Sequence, residues 1–301
     1  MDYRKLQLFV AAARHGNLSV AAADLDISQP ALSKSIKSLE ATLGVRLLER
    51  GRFGVTPTVF GQALLAHGQV MEAEMRHATA QIEAMRGARR GHVLLGCGPT
   101  EASRLLPMAL QQLEKAHPDI AVTVLYGLNE SLMPGVRQGE IDFALSSVPS
   151  RGSDPELVHE RLCTEPAVVV ARSGHPLARQ RGLTPQDLVS YAWVLPRARE
   201  LERVAFDEFF LAHNLTPPVP QFETTSTVLM KSLVMQSDVL TFIPKELIYW
   251  EAQARQLTAL DVPDTHWTRI MGLTRRRKGS LSPPARVLMQ LIRTCAQQAF
   301  G

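Results

Sequence analysis

From Ser28 the chain reads SQPALSKSIKSLEATLG as far as Gly44. At about 100° per residue, Leu32, Ile36 and Leu39 fall on one arc of a helix, and Pro30, Ser33, Lys34 and Lys37 on the opposite one. Small residues let a helix sit deep in a major groove, and lysines neutralise phosphates or reach guanine acceptors. Carboxylates there would be repelled. The chemistry is that of double-stranded DNA recognition; the bland alternative is the solvated face of an all-helical domain. Next comes LGVRLLERGRFGVTPT, with a strand-like VRLLER, a tip at Gly51–Gly54 and a return through Val55 and Thr56. That pattern is a β-hairpin wing whose tip carries Arg50 and Arg52, and arginine is favoured beside a backbone or in a minor groove.

Other elements must hold this face in place. Leu6, Phe9, Val10 and Ala13 repeat at helical spacing and stop at His15-Gly16. Ser19 is the expected cap of a second helix through Leu25, followed by a turn at Asp26-Ile27. Ser28 caps a third helix with Pro30 in its first turn, where a missing N–H costs little. Two helices joined tightly, the second polar and basic outside, make a helix-turn-helix.

The charge agrees. Of 33 Lys+Arg and 29 Asp+Glu, residues 1–91 hold 12 and 8, and the remainder 21 of each, so the whole formal excess of +4 lies in the first third. A length of 301 residues fits about two domains. Cys97, Cys163 and Cys295 are odd in number and far apart, against a disulfide framework. No apolar run approaches a membrane span, and the N-terminus is too amphipathic for a signal peptide. The expectation is a reduced, cytoplasmic protein without a membrane partner.

From Val59 to about Arg86 nothing breaks a helix except Gly61 and Gly68. Leu64, Met71, Ala78 and Met85 recur every seven residues, as do Gly61, Gly68, Met75 and Ile82. Interleaved, they give the spacing of a coiled-coil seam, so Leu64, Met71, Met75, Ala78, Ile82 and Met85 are expected to face a second copy. GARRG, 87–91, reads as a hinge.

Beyond His92, strand-like runs (VLLGCG, IAVTVLY, IDFALSS, AVVVAR, VLTFIP, TRIMGLT) alternate with helical ones, implying βαβ units and a parallel sheet covered on both faces. Ligands of such sheets sit at the carboxyl ends of strands. Thr100, Glu101, Ser146, Ser147, Thr225, Ser226 and Thr227 fall at such ends or before helices, and PRARELER brings Arg197 and Arg199 near. Hydroxyls and arginines suit a small anionic or polyhydroxyl ligand, although each hydroxyl is equally well a helix cap and Glu101 would repel a carboxylate. Arg275–Lys278 (RRRK) reads as a solvated turn and Cys97 as a small core residue. No metal-ligand spacing, P-loop or catalytic triad stands out, so no cofactor or metal is expected.

NLSVAAADLDISQPALSKSIKSLEATLGVRLLERGRFGVTPTVFGQALL resembles the N-terminal signature of LysR-type transcriptional regulators. Ala21-Ala22, Leu25, Ser28-Gln29-Pro30-Ala31, Ser33, Ile36, Leu39-Glu40, Gly44, Leu47, Arg50, Thr56 and Gly61 carry the match; Leu48 stands where the family usually has Phe. The resemblance implies a winged helix-turn-helix over 1–58, a linker helix and hinge over 59–91, and a two-lobed, periplasmic-binding-protein-like effector domain over 92–301. Lobe I would be 92–161 with 268–301, and lobe II 162–267. It places Ser28, Gln29, Pro30, Ser33, Lys34 and Lys37 toward the groove, Arg50, Arg52 and Thr56 on the wing, and Thr100 and Ser146 at effector positions. It further implies a dimer or tetramer on inverted-repeat promoter DNA, recruiting RNA polymerase under effector control. An enzyme using the α/β half, or an exported solute-binding protein, is the rival; neither explains the basic recognition helix and its wing.

Overall fold

The computed structural model describes residues 2–52, 54–86, 91–149, 154–198, 200–263, 265 and 267–300. The proposed hinge at 87–91 therefore lies outside the described residues except for Gly91.

The head contains α1 (Tyr3–His15), α2 (Leu18–Asp24), α3 (Gln29–Leu43), β1 (Leu48–Gly51) and β2 (Gly54–Pro57). α1 stops at Gly16, whose φ of 62° puts it in the left-handed region. Asn17, not Ser19, caps α2: its Oδ1 accepts from Ser19 N at 2.9 Å and Val20 N at 3.3 Å. Asn17, two residues before Ser19, reaches two orphan amides of the first turn, one of them that of Ser19 itself. Ser28 Oγ accepts from Ala31 N at 3.3 Å and starts α3. The apolar arcs meet over buried Leu6, Phe9, Val10, Leu32, Ile36 and Leu39. Glu40 Oε1 accepts from the amides of Leu47 and Leu48, at 2.8 and 3.3 Å, and so fastens the wing to the end of α3.

α4 (Val59–Met85) runs on from the wing. Its two glycines do not belong to an intermolecular seam. Gly61 lies against the Leu47 carbonyl, and a Cβ on Gly68 would stand 2.6 Å from Val10 Cγ2, so both admit α4 to its own head. Leu64 likewise packs on the head core. A coiled-coil period and an intrachain contact look alike in sequence because each needs one narrow small-residue face. Met71, Met75, Ala78, Ile82 and Met85 are exposed.

The C-terminal half contains β3 (Gly91–Cys97), α5 (Pro99–Ser103), α6 (Leu105–Ala116), β4 (Ile120–Tyr126), α7 (Asn129–Gln138), β5 (Phe143–Val148) and β6 (Leu157–Arg172). It continues with α8 (Pro185–Leu188), β7 (Val194–Leu195), α9 (Leu201–Ala212), β8 (Phe222–Glu223), α10 (Thr227–Gln236) and β9 (Thr241–Pro244). Last come α11 (Tyr249–Gln253), β10 (Leu257–Ala259), β11 (Thr268–Arg276) and α12 (Pro283–Phe300). Strand order is β10-β6-β11-β5-β3-β4, with β9 also on β6. The sheet is mixed, which corrects the all-parallel expectation. β3 pairs parallel with β4 and β5, but β11 enters antiparallel between β5 and β6, and β9 and β10 are antiparallel to β6. Strand–helix alternation fixes direction only while each strand follows a crossover helix; β11 instead returns from a second lobe.

Two separate cores mark two lobes. One gathers Val93, Leu95, Phe143, Leu145, Leu273, Leu288 and Ile292. The other is aromatic, with Trp193 edge-on to Phe206 at 4.7 Å and Phe210 and Phe242 beside them. β6 passes unbroken from the first lobe, paired with β11, to the second, paired with β9 and β10.

α4 also docks on the first lobe. Gln69 Nε2 donates to Glu140 Oε1 at 2.9 Å, Arg76 Nη2 to the Gly139 carbonyl at 2.8 Å, and Arg276 Nη2 to Glu74 Oε1 at 3.1 Å. The RRRK run is thus not merely a solvated turn: Arg275 and Arg276 end β11, and Arg276 is buried against the linker helix. Among the described residues no helix is long and apolar enough to cross a membrane.

Candidate DNA-contact face and interlobe cleft

On the head, Ser28, Pro30, Lys34 and Lys37 are exposed along α3, and Gln29 and Ser33 are partly so. α3 turns these groups outward because Leu32, Ile36 and Leu39 hold its opposite arc in the core. Arg50 lies within β1 and reaches back rather than standing at the tip. Its Nη2 donates to Ser33 Oγ at 2.8 Å, joining wing and helix into one surface. Arg52 is exposed between the two wing strands. Thr56 is exposed on β2, opposite Glu49 in the strand register. Val55 N donates to the Gly16 carbonyl at 2.8 Å, which anchors the wing to the α1–α2 turn. The surface can donate hydrogen bonds and cations to a polyanion; of the acids beside it, Glu40 is occupied by backbone amides and Glu49 is exposed on β1.

The hydroxyls singled out in the C-terminal half do not form one cluster. Thr100 on α5 and Thr225 before α10 line one cavity of about 70 Å³ between the lobes, with Thr224, Thr227, Glu200, Glu202 and Arg269. Ser147 lines a larger groove of about 620 Å³ that shares Arg269 and adds Asn129, Arg137, His159 and Trp267. Asn129 Nδ2 donates to the Ser147 carbonyl at 2.7 Å, closing that side. Glu101 and Ser146 are buried and line neither space; Glu101 Oε2 and Ser146 Oγ have no hydrogen-bond partner. Ser226 caps α10, its Oγ accepting from Leu229 N at 3.3 Å. Arg197 is exposed on the loop before α9, and Arg199 lies outside the described residues.

The centre of the cleft is a residue the sequence reading passed over. Arg269, on β11, is ringed by three carboxylates. Its Nε donates to Glu165 Oε2 at 2.9 Å and its Nη2 to Glu101 Oε1 at 3.2 Å, while Nη1 stands 3.5 Å from Glu202 Oε1. Glu165 Oε1 also accepts from Glu246 N at 3.0 Å. Burial pushes the Glu165 carboxyl up to about 7, against the pull of Arg269. Burial raises Glu101 too, with Glu202 adding to it, and raises Glu200, with Glu202 and Glu130 adding to it. Burial alone would lower the Arg269 guanidinium, but the glutamates outweigh it and hold it above its ordinary range. The signal for this centre was an arginine inside an otherwise apolar strand, TRIMGLT, which needs buried partners. Across the same junction Arg104 Nη1 donates to Glu246 Oε2 at 2.9 Å and Trp250 Nε1 to the Ser103 carbonyl at 2.9 Å.

Residues 3–62 match a family model described as bacterial regulatory helix-turn-helix protein, lysR family, and residues 86–296 one described as LysR substrate binding domain. The chain is 31% identical over 297 residues to the HTH-type transcriptional regulator GbpR of Azospirillum brasilense, covering 98% of this chain and 87% of that protein. A full-length OxyR from Pseudomonas aeruginosa has the same fold, with a TM-score of 0.74 at 18% identity over 99% of this chain and 95% of that one. Full-length CbnR complexed with its target DNA gives 0.67 at 22% identity, over 98% of this chain and 100% of that one.

Proposed function

Because the chain belongs to the LysR family of bacterial DNA-binding transcriptional regulators, with a helix-turn-helix head and an effector-binding domain, we propose that α3 and the wing read promoter DNA together under control of a small polar molecule held between the lobes. The family is one of regulators and not of enzymes. The observation carrying the DNA part is the Arg50–Ser33 hydrogen bond at 2.8 Å, which makes one rigid donor surface of two elements. Ser28, Gln29, Pro30, Ser33, Lys34 and Lys37 enter the major groove, and Arg50, Arg52 and Thr56 follow the backbone beside it.

A single head reads one half-site, so an inverted repeat calls for two copies related by a two-fold axis. Met71, Met75, Ala78, Ile82 and Met85, exposed along one helix, supply an apolar stripe for that pairing, and tetramers follow from a second contact. The effector shifts the equilibrium between lobe arrangements only as far as it binds them with different affinity. The arrangement reaches DNA geometry and RNA polymerase through α4, and the protein acts in the cytoplasm. Capture of genomic fragments by the full chain, repeated across a salt series, tests the reading. A small set of promoter fragments surviving at about 0.2 M salt supports it. Indiscriminate capture that disappears with salt overturns it.

A further inference from the structure

A ligand charge is written into the cleft. Resting on the reading that the interlobe cleft is the effector site, we infer that its effector is a compact organic cation, an amine or amidine, and not an anion.

The argument begins with the cations that line the space. Among the described residues these are Arg269 and Arg137, with His159 as a third basic group. Arg269 has all three guanidinium nitrogens against carboxylates, at 2.9, 3.2 and 3.5 Å. Arg137 is paired with Asp154, its Nε at 3.1 Å, and with Glu156 at 3.3 Å. Burial lowers the pKa of His159, so the ring is neutral near pH 7, and its Nδ1 is already 2.8 Å from Thr274 Oγ1. Each lining guanidinium is already engaged by carboxylates before a carboxylate or phosphate arrives. A bidentate guanidinium–anion contact, the usual device for anion recognition, would first have to break a buried pair at Arg269 and a more exposed one at Arg137.

The acids have no such balance. Glu200 and Glu202 both line the smaller cavity, and Glu101 and Glu165 stand behind it on the same guanidinium. Three carboxyls face one arginine, and a fourth, Glu200, lines the same cavity with Arg197 acting on it from the exposed loop. Burial, with neighbouring acids adding to it, raises the carboxyls of Glu101, Glu165 and Glu200 above their ordinary range, which is how a site short of positive charge favours the neutral acid. Behind the cavity lining, Glu101 Oε2 and Ser146 Oγ are buried without a hydrogen-bond partner, while the other oxygen of Glu101 is held by Arg269. Thr100, Thr224, Thr225 and Thr227 bring hydroxyls that accept from N–H donors. Met230, Ile243 and Leu247 supply an apolar wall for a short carbon chain. An ammonium between Glu200 and Glu202 relieves the repulsion and draws the raised carboxyls of the cleft toward their ionised form.

The test is calorimetry on the full chain at pH 7 with three probes of four carbons each: putrescine, succinate and erythritol. The expected result is putrescine binding with proton release, seen as a dependence of the heat on the buffer's ionisation enthalpy. It should weaken about tenfold in Glu202→Gln or Glu200→Gln, the loss of one charge-assisted contact of about 1.4 kcal/mol. Thr225→Trp, which fills the smaller cavity, should abolish it. Succinate or erythritol binding that Thr225→Trp abolishes keeps the cleft as effector site and overturns the charge assignment. Putrescine binding indifferent to all three substitutions lies elsewhere and overturns both. Absence of putrescine binding at millimolar concentration, with the variants folded as judged by thermal unfolding, also overturns the assignment.

Discussion

His77 Nε2 stands 2.7 Å from Asp142 Oδ1, and both side chains are buried. The two residues come from α4 and from the turn leading into β5, 65 positions apart. Asp142 Oδ2 accepts in turn from Leu94 N at 2.9 Å, on β3. One carboxylate therefore pins the linker helix to the central strands that end at the interlobe cleft.

Replacing Asp142 by Ala should cost about 3–5 kcal/mol, because a buried imidazole and a half-buried amide lose their acceptor together. Chemical denaturation measures it. Asp142→Asn, which keeps one acceptor oxygen, should cost about 1–3 kcal/mol. If both variants unfold at the wild-type midpoint, the helix is held to the lobe by packing alone.

On the head, Lys34→Ala should lower affinity for all DNA sequences alike and reduce the slope of log K against log salt by about one. Ser33→Ala should instead weaken specific binding about five- to tenfold while leaving the slope alone, since it removes the hydroxyl that steadies Arg50. The double replacement should abolish specific binding with fold and oligomer intact. Fluorescence anisotropy over a salt series separates the two effects.

Gly68→Ala should destabilise the chain. An alanine gains about 1 kcal/mol of helix propensity, but its Cβ would press on Val10 Cγ2 at 2.6 Å and Leu6 Cδ1 at 3.2 Å. Both neighbours are fully buried and have no space to yield, and overpacking of this kind costs about 1–3 kcal/mol. A raised melting temperature would mean that α4 does not rest on α1 as described.

Ile82→Glu should shift the protein toward monomer in light scattering, with no loss of secondary structure, because Ile82 is exposed in the single chain. An unchanged mass would place the partner contact off this stripe.

The pH dependence has a definite sign. The Glu165 carboxyl titrates near 7 in the native chain against an ordinary value of 4.5. A carboxyl raised by folding contributes stability that is complete below its unfolded value and is lost as pH climbs through the folded one. Thermal midpoints should therefore fall between pH 5 and pH 8, and Glu165→Gln should flatten that fall. A midpoint that rises over the same window is the contrary outcome.

The head was legible because its signals are local. A Ser28 cap, Pro30 in the first turn, apolar residues three and four apart and Gly44 at φ 70° all lie within one short stretch. The cleft was not legible in the same way. Glu101, Glu165, Glu202 and Arg269 are scattered over the C-terminal half, and nothing about each alone announces the others. Thr100 and Thr225, singled out at strand ends, line the interlobe cavity, and Ser226 is a cap because the same position serves that purpose equally well. Strand direction in β11 and the docking of α4 on Gly139–Asp142 depend on which parts of the chain meet after lobe II is complete. Periodicity carries no record of that.

β6 enters the second lobe without leaving the first, and β11 returns alongside it with a shift of register between Met271 and Gly272. The two lobes thus hang on a ribbon of paired strands and not on a loose tether. Such a ribbon resists stretching and gives way by twisting, most readily where a bulge has already loosened the ladder. Lobe movement is then a torsion, small in amplitude and stiff. Arg269 lies on that ribbon, close to the shift, so whatever rearranges its three carboxylates acts on the spring itself.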